Sequence, residues 1–477
     1  MTSEMNARLS SPRWGKAVVI GGGYAGLVTA RVLADHFAEV LVLEWDPVER
    51  DTGVHPHAPQ GYHAHAMLAK GGETLEKLFP GLRAELAGLG APVFDYGERI
   101  SFLLPTGLAP RVTTGVRVQT FTRDELERRL RQKVLDLPAV TLLAATRCEG
   151  VTMSRPSHMD RVRYRTEGDE RPTEVTADLV VDASGRSTAI DKWLTAARLP
   201  VPAKAAVKAK LTYTSMLFDR SEKDERDFDI AYQMTFAPVI DRGGVLLAVE
   251  NKRWMCSLLG FEHLPPTDDE GFLDYARGLD NPHLAEQISG QSRQGEVHHY
   301  TNPGSQWRLH HKSKRWPERL LSVGDSLCVF NPVYGQGLTV AALEADVLAG
   351  LLRRRRAGGA GLDGLSRAYH RAAARVIKVP WTLSTTSDLM WDPAHRSVSA
   401  RAAHWYNQQV FALAIHDPSV WTRFARVANM TAPPSLLFRP SVLAKVLRRA
   451  LTRRTARPVP PGHAPQPDAE LSAQEAT

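Results

Sequence analysis

Lys16-Ala-Val-Val-Ile-Gly-Gly-Gly-Tyr-Ala-Gly26 is the stretch on which the fold turns. Residues 16–20 form a short apolar run that meets glycine abruptly, the pattern of a buried parallel strand. Apolar residues then recur at helical spacing over 24–37 (Leu27, Val28, Ala30, Val32, Leu33, Phe37), and 40–43 reads as a second buried strand ending in Glu44. A βαβ unit follows. Its turn carries Gly21-x-Gly23-x-x-Gly26. The first glycine allows a tight turn, the second lets the backbone approach a pyrophosphate, and the third lets helix and strand pack closely. The helix N-terminus then offers free N–H groups and partial positive charge to the phosphate. Glu44 stands where an acid would bind adenosine ribose hydroxyls. This motif by itself fits FAD and NAD equally.

Two further glycine motifs narrow the choice. Asp182-Ala183-Ser184-Gly185 follows a strand expected at 179–181. Gly324-Asp325 ends a strand expected at 320–323 and is followed by Pro332-Val333-Tyr334-Gly335-Gln336-Gly337. Asp325 can accept hydrogen bonds from a polyol such as the ribityl chain of a flavin. Gly335 and Gly337 open a helix expected at 337–352, so its N–H groups can face the pyrimidine edge of an isoalloxazine, which becomes anionic on reduction. Pro332 has no N–H and fixes the backbone beside the ring.

In order and spacing, these motifs resemble the class A flavoprotein monooxygenases, the fold of aromatic hydroxylases and squalene epoxidase, over roughly residues 15–350. The resemblance implies FAD as cofactor. It implies oxygen transfer from a flavin C4a-hydroperoxide, and a motif at Asp182 and Gly185 linked to both FAD and NAD(P)H. It also places Arg123 near the FAD phosphates, where a guanidinium fork suits a diphosphate. Aromatic hydroxylases often carry Arg-x-Arg-Ala where this chain has His63-Ala64-His65-Ala66. The segment from Pro59 through Leu78-Phe79-Pro80-Gly81 resembles actinobacterial epoxidases of the polyether type. Epoxidation of an alkene in a polyketide or terpenoid is therefore the leading expectation, and aromatic hydroxylation the second. An FAD-dependent double-bond reductase and a non-catalytic flavin scaffold are the rivals. No Trp-x-Trp of the flavin halogenases occurs. No catalytic side chain is assigned, because the cofactor carries the reaction. His63 and His65 are expected to pack beside the flavin or its phosphates, and no metal site is expected.

The rest of the chain sorts around this frame. The expected class is α/β: a Rossmann-like FAD-binding domain (1–203 and 307–352), an inserted, mostly antiparallel substrate sheet (204–306) and a C-terminal helical region (353–456). A disordered tail (457–477), poor in apolar bulk, completes it. Arg242-Gly243-Gly244 reads as a turn in the sheet. Ile230, Tyr232, Met234 and Phe236 share one strand face. Thr122 and Glu125 read as a capping box for a helix over 123–135.

The net charge of +8 is concentrated in runs such as Arg353–Arg356, without aromatic interleaving, so solvated surface is expected rather than nucleic acid. No apolar run reaches about eighteen residues and no leader pattern precedes Lys16, so neither membrane insertion nor export is expected. Three widely spaced cysteines (Cys148, Cys256, Cys328) fit a reducing cytoplasm. The expected partners are an apolar small-molecule substrate, free or carrier-bound, and NAD(P)H or a separate flavin reductase as electron source.

Overall fold

The computed structural model describes residues 13–53, 56–65, 67–209, 211–221, 227–261, 263–302, 304–392 and 397–452. The tail expected at 457–477 lies outside them.

The βαβ unit forms from strand Trp14–Ile20, helix Tyr24–Ala34 and strand Phe37–Leu43. The helix stops short of the expected residue 37, because Phe37 already pairs with Trp14 in the sheet. Five parallel strands lie in the order Leu320–Ser322, Leu179–Asp182, Trp14–Ile20, Phe37–Leu43, Val140–Leu143. Both faces of this sheet are covered, which is why its strands read as unbroken apolar runs. Ala17, Val19, Val40, Val42 and Val181 pack towards helices Tyr24–Ala34, Arg123–Leu135 and Gly337–Ala357. Val18, Ile20, Leu41, Leu43 and Val180 face a layer that includes Val151, Val162 and Trp193. The period-two alternation of strand side chains makes this division.

A second sheet has seven strands, in the order Arg293–Asn302, Leu211–Asp219, Arg253–Gly260, Arg242–Val249, Ile230–Gln233, Ile100–Leu104, Gly107–Leu108. It is antiparallel except where Ile230–Gln233 runs parallel to Ile100–Leu104, a strand from much earlier in the chain. The turn expected at Arg242-Gly243-Gly244 is instead the start of a strand. Its glycines answer to close packing: a Cβ would lie 2.7 Å from the Gln233 carbonyl at Gly243 and 2.6 Å from Leu284 at Gly244. Leu284 belongs to Pro282–Ile288, one of two helices (with Asp269–Arg277) that cover one face of the sheet.

The C-terminal region is helical: Leu365–Asp388, Val398–Ala414, Pro418–Ala428 and Pro440–Thr452. The fold is thus α/β, with a Rossmann-like parallel sheet, a large mostly antiparallel sheet and C-terminal helices, as the sequence leads one to expect. Among the described residues no helix is long and apolar enough to cross a membrane.

Candidate functional site

The carboxyl ends of four parallel strands converge on one side, the edge where open α/β sheets bind ligands. Trp14–Ile20 leads into Gly21, whose φ of +105° is left-handed territory. A Cβ on Gly26 would sit 1.9 Å from the Gly21 carbonyl oxygen, so helix and turn touch directly. A Cβ on Gly23 would meet nothing within 4 Å. Two glycines therefore answer to the protein's own packing, and the middle one opens on free space before a helix N-terminus. Glu44 is buried, and its carboxylate ties the turn to the neighbouring strand. It accepts the Gly22 N–H (2.5 Å) and the Asp46 N–H (2.8 Å).

Asp182 is also buried, and local groups occupy its carboxylate. It accepts from the Ser184 N–H (3.1 Å), the Ser184 hydroxyl (2.5 Å) and the Thr188 hydroxyl. Burial pushes its carboxyl up from the usual carboxylate range against these donors. Asp182 thereby shapes the turn holding Gly185, whose φ is +78°. Ser326, beside Asp325, donates to the Asp182 carbonyl (2.5 Å), so the second and third motifs are joined.

Arg123 opens helix Arg123–Leu135. The capping box is half formed. Thr122 Oγ1 accepts the Glu125 N–H (3.2 Å), but Glu125 turns to Arg129 (2.7 Å) and Arg128 (3.1 Å). Glu250, fully buried, takes over by accepting the Thr122 N–H (3.0 Å) and hydroxyl (2.6 Å) while pairing with Arg253 (2.6 Å). Burial works against the Arg123 charge, but Glu127 at 2.6 Å outweighs it and holds the guanidinium protonated, with Asp325 adding to the effect. Burial in turn pushes Asp325 up, while Arg123, Arg186 and Arg308 pull against it. Sequence reading brought Arg123 and Asp325 to one site; Arg186, Arg308, Glu127 and Glu250 were missed. Arg186 alone had a signal, directly after Gly185.

In the third motif, Asn331 accepts the Val333 N–H (3.2 Å) and so caps the turn Pro332–Tyr334. Gly335 follows at φ +62°, and Gly337 starts the long helix with nothing within 4 Å of its Cβ position. Asp388, at the end of helix Leu365–Asp388, fastens this segment from outside. Its Oδ1 accepts from Asn331 (2.9 Å) and from the Tyr334 hydroxyl (2.9 Å). Burial pushes Asp388 up to about 6. No sequence pattern marks Asp388.

A cavity of about 210 Å³ opens between this segment and the large sheet. Pro332, Val333, Tyr334 and Gly335 form one wall. Ile230, Tyr232, Met234, Val245 and Leu247 form another, and Phe424 and Asn429 of the C-terminal region close a third. Three of the four residues expected on one strand face are therefore at the cavity. The strand itself stops at Gln233, so only Ile230 and Tyr232 share its face; Met234 reaches the cavity from beyond its end, and Phe236 instead stacks on His404 (4.1 Å between ring centroids). None of the described residues lining the cavity is charged.

His63 lies under the cavity wall, with Nδ1 2.8 Å from Ser215 Oγ and its ring edge-on to Tyr213. Burial, with His65, His298 and His299 nearby, lowers its pKa to about 3. His65 Nδ1 contacts the His63 carbonyl (2.8 Å); burial and Arg123 lower its pKa to about 4. Both rings are neutral at ordinary pH. Among the described residues no group of three His, Cys, Asp or Glu side chains could hold a metal ion.

The donor set fits a dinucleotide carrying a polyol. Glycines 23 and 337 leave room before two helix N-termini, and arginines flank a buried acid. A family model described as FAD binding domain matches residues 15–380. Protein Rv3254 of Mycobacterium tuberculosis is 27% identical over 482 residues, covering 96% of this chain and 98% of that protein. Among solved structures, the flavin-dependent brominase Bmp2 is similar at a TM-score of 0.64 and 12% identity, covering 92% of this chain and 99% of its own. PqsL, described as a probable FAD-dependent monooxygenase from Pseudomonas aeruginosa, is similar at 0.57 and 18%, covering 80% and 99%. At these identities the likeness to solved structures is one of fold.

Proposed function

We propose a function from one premise: the chain belongs to the FAD binding domain family, and FAD is its cofactor. The reading is a flavin-dependent monooxygenase that places one oxygen atom on an apolar, uncharged substrate. Epoxidation of an alkene in a polyketide or terpenoid leads, and hydroxylation of an aromatic ring is second. Reduced FAD supplies the activation of dioxygen.

The chain's residues bind, orient and exclude water. Gly21, Gly23 and Gly26 would receive the pyrophosphate, with Arg123 beside it, and Glu44 the adenosine ribose. Asp325 would meet the ribityl chain, with Asp182 and Gly185 shaping the adjoining turn. Pro332, Gly335 and Gly337 would face the flavin ring. Residues 1–203 and 307–352 would serve FAD, and 204–306 would roof the substrate.

The observation that carries the reading is the cavity's lining. It adjoins the Pro332–Gly335 segment and holds no charged side chain among the described residues. An enclosed carboxylate or phosphate would be left unpaired there, at a high desolvation cost. A neutral, apolar substrate is left. A scaffold without turnover has no need of such a cavity against the flavin segment.

The test loads the protein with FAD and supplies electrons from NADH, NADPH or a separate flavin reductase. It then offers a panel of neutral polyenes and arenes under isotopically labelled dioxygen. One labelled oxygen atom per product molecule is expected. Product saturated without label, or product formed only with added halide, would overturn the reading.

A further inference from the structure

One of the polar groups lining the cavity, the Ser257 hydroxyl, belongs to a hydrogen-bond chain that runs back through the large sheet. Ser215 and Ser257 stand directly opposite each other on adjacent strands, on the cavity side of the large sheet. Their hydroxyls are 2.5 Å apart. Ser215 Oγ continues to His63 Nδ1 at 2.8 Å, and Ser257 Oγ accepts the Ala64 N–H at 2.9 Å. Ser215 and His63 are buried behind the wall, and Ser257 alone of the three lines the cavity.

If His63 Nδ1 is bare, Ser215 donates to it and Ser257 donates to Ser215. Ser257 then keeps one lone pair for the cavity. If Nδ1 carries the proton, His63 donates to Ser215; the buried Ser215 hydroxyl, with no other acceptor among the described residues, donates to Ser257, and the Ser257 hydrogen is left for the cavity. Either tautomer of the neutral ring leaves one hydrogen-bonding valence at Ser257, an acceptor in the first case and a donor in the second. A buried polar valence is costly when unmet.

We infer that Ser257 is the anchor for an uncharged oxygen function of the substrate, a hydroxyl or a carbonyl, with Ser215 and His63 setting whether the anchor donates or accepts. This rests on the apolar-cavity reading above and narrows it. The substrate is a neutral molecule whose apolar body fills the cavity and whose one oxygen meets Ser257. Ser257 is the contacting residue, while Ser215 and His63 act through it and are positioning residues.

Calorimetry on the FAD-loaded, oxidised protein tests this without turnover. The probes are α-naphthol and its isostere α-methylnaphthalene. Wild type is expected to bind α-naphthol more tightly. In Ser257→Ala the ratio of the two affinities is expected to fall roughly tenfold, about the weight of one buried hydrogen bond left unmade. Ser257→Thr, which keeps the hydroxyl, is expected to restore it. A preference for α-methylnaphthalene in wild type overturns the inference without recourse to any variant. A naphthol preference that survives Ser257→Ala assigns the oxygen to another wall group, such as Tyr96 or Tyr232, and overturns it too. If neither probe binds while the flavin spectrum is intact, the apolar-cavity reading itself fails.

Discussion

Replacing Glu344 by glutamine is expected to stabilise the protein in alkali and to leave it nearly unchanged in mild acid. Glu344 lies fully buried in helix Gly337–Ala357, behind the third motif. Its Oε2 accepts the Gly324 N–H at 2.7 Å, and its Oε1 has no hydrogen-bond partner among the described residues. Burial pushes its carboxyl from 4.5 up to about 8, with the Asp325 charge adding to the rise and the Gly324 N–H opposing it. The folded state therefore holds this proton to higher pH than the unfolded chain does. Stability from the group is complete below about pH 4.5 and is lost progressively as pH rises through about 8. At about 1.4 kcal/mol per pH unit, the loss reaches up to about 5 kcal/mol. Glutamine still accepts from Gly324 and cannot ionise. A chain of 477 residues has an unfolding entropy of about 1 kcal/mol per degree, so the gap corresponds to about 5 °C in melting temperature. Melting curves of FAD-loaded wild type and Glu344→Gln, recorded from about pH 5 to about pH 9, should nearly coincide at the acid end. They should diverge to about 5 °C by about pH 8 and run parallel beyond it. A constant offset across the whole range would refute the argument, since it would mean that Glu344 does not titrate between the two states.

Gly23→Ala and Gly26→Ala should part company. The first adds a methyl group to open space and should fold normally while binding FAD at least about tenfold more weakly by fluorescence titration. The second drives a methyl group to 1.9 Å from a carbonyl oxygen and should collapse the yield of folded protein; equal behaviour would count against the division of roles. Glu250→Ala removes the partner of Thr122 and Arg253 in a buried setting, and should cost about 3–5 kcal/mol in urea unfolding, whereas a loss under about 1 kcal/mol would show that water or a neighbour substitutes. Burial pushes the Cys148 thiol up to about 12 and those of Cys256 and Cys328 up as well, so a disulfide reagent at about pH 8 should find no fast thiol until the protein is unfolded.

The parts of the fold legible in sequence are those that physics writes locally. A strand covered on both faces is a run of apolar residues, and the glycine turns follow such runs at Ile20, Asp182 and Ser322. The Asp182 turn was legible because its carboxylate is satisfied within six residues, by Ser184 and Thr188. Pairings across long stretches of chain were not legible. The Glu250 carboxylate takes the place of the Glu125 side chain at the Thr122 N–H, and nothing near Thr122 announces it. Asp388 reaches the Pro332–Tyr334 turn from the end of a helix whose own pattern concerns only packing. Arg242-Gly243-Gly244 misled because glycine marks both a turn and a close approach, and the neighbour that needs the room, Leu284, lies in a helix the pattern did not reveal.

The large sheet has a consequence in time as well as in space. Strand Leu320–Ser322 takes its place beside Leu179–Asp182 only after the whole intervening excursion has been made. Most of a nascent chain therefore emerges before the last parallel strand is available, and the partner edge at Leu179–Asp182 must wait with its backbone groups unpaired. Closing so long a loop is slow, and an open strand edge invites pairing with other chains. Expression at low temperature, or with abundant chaperone, should raise the soluble yield more than any substitution in the cavity would.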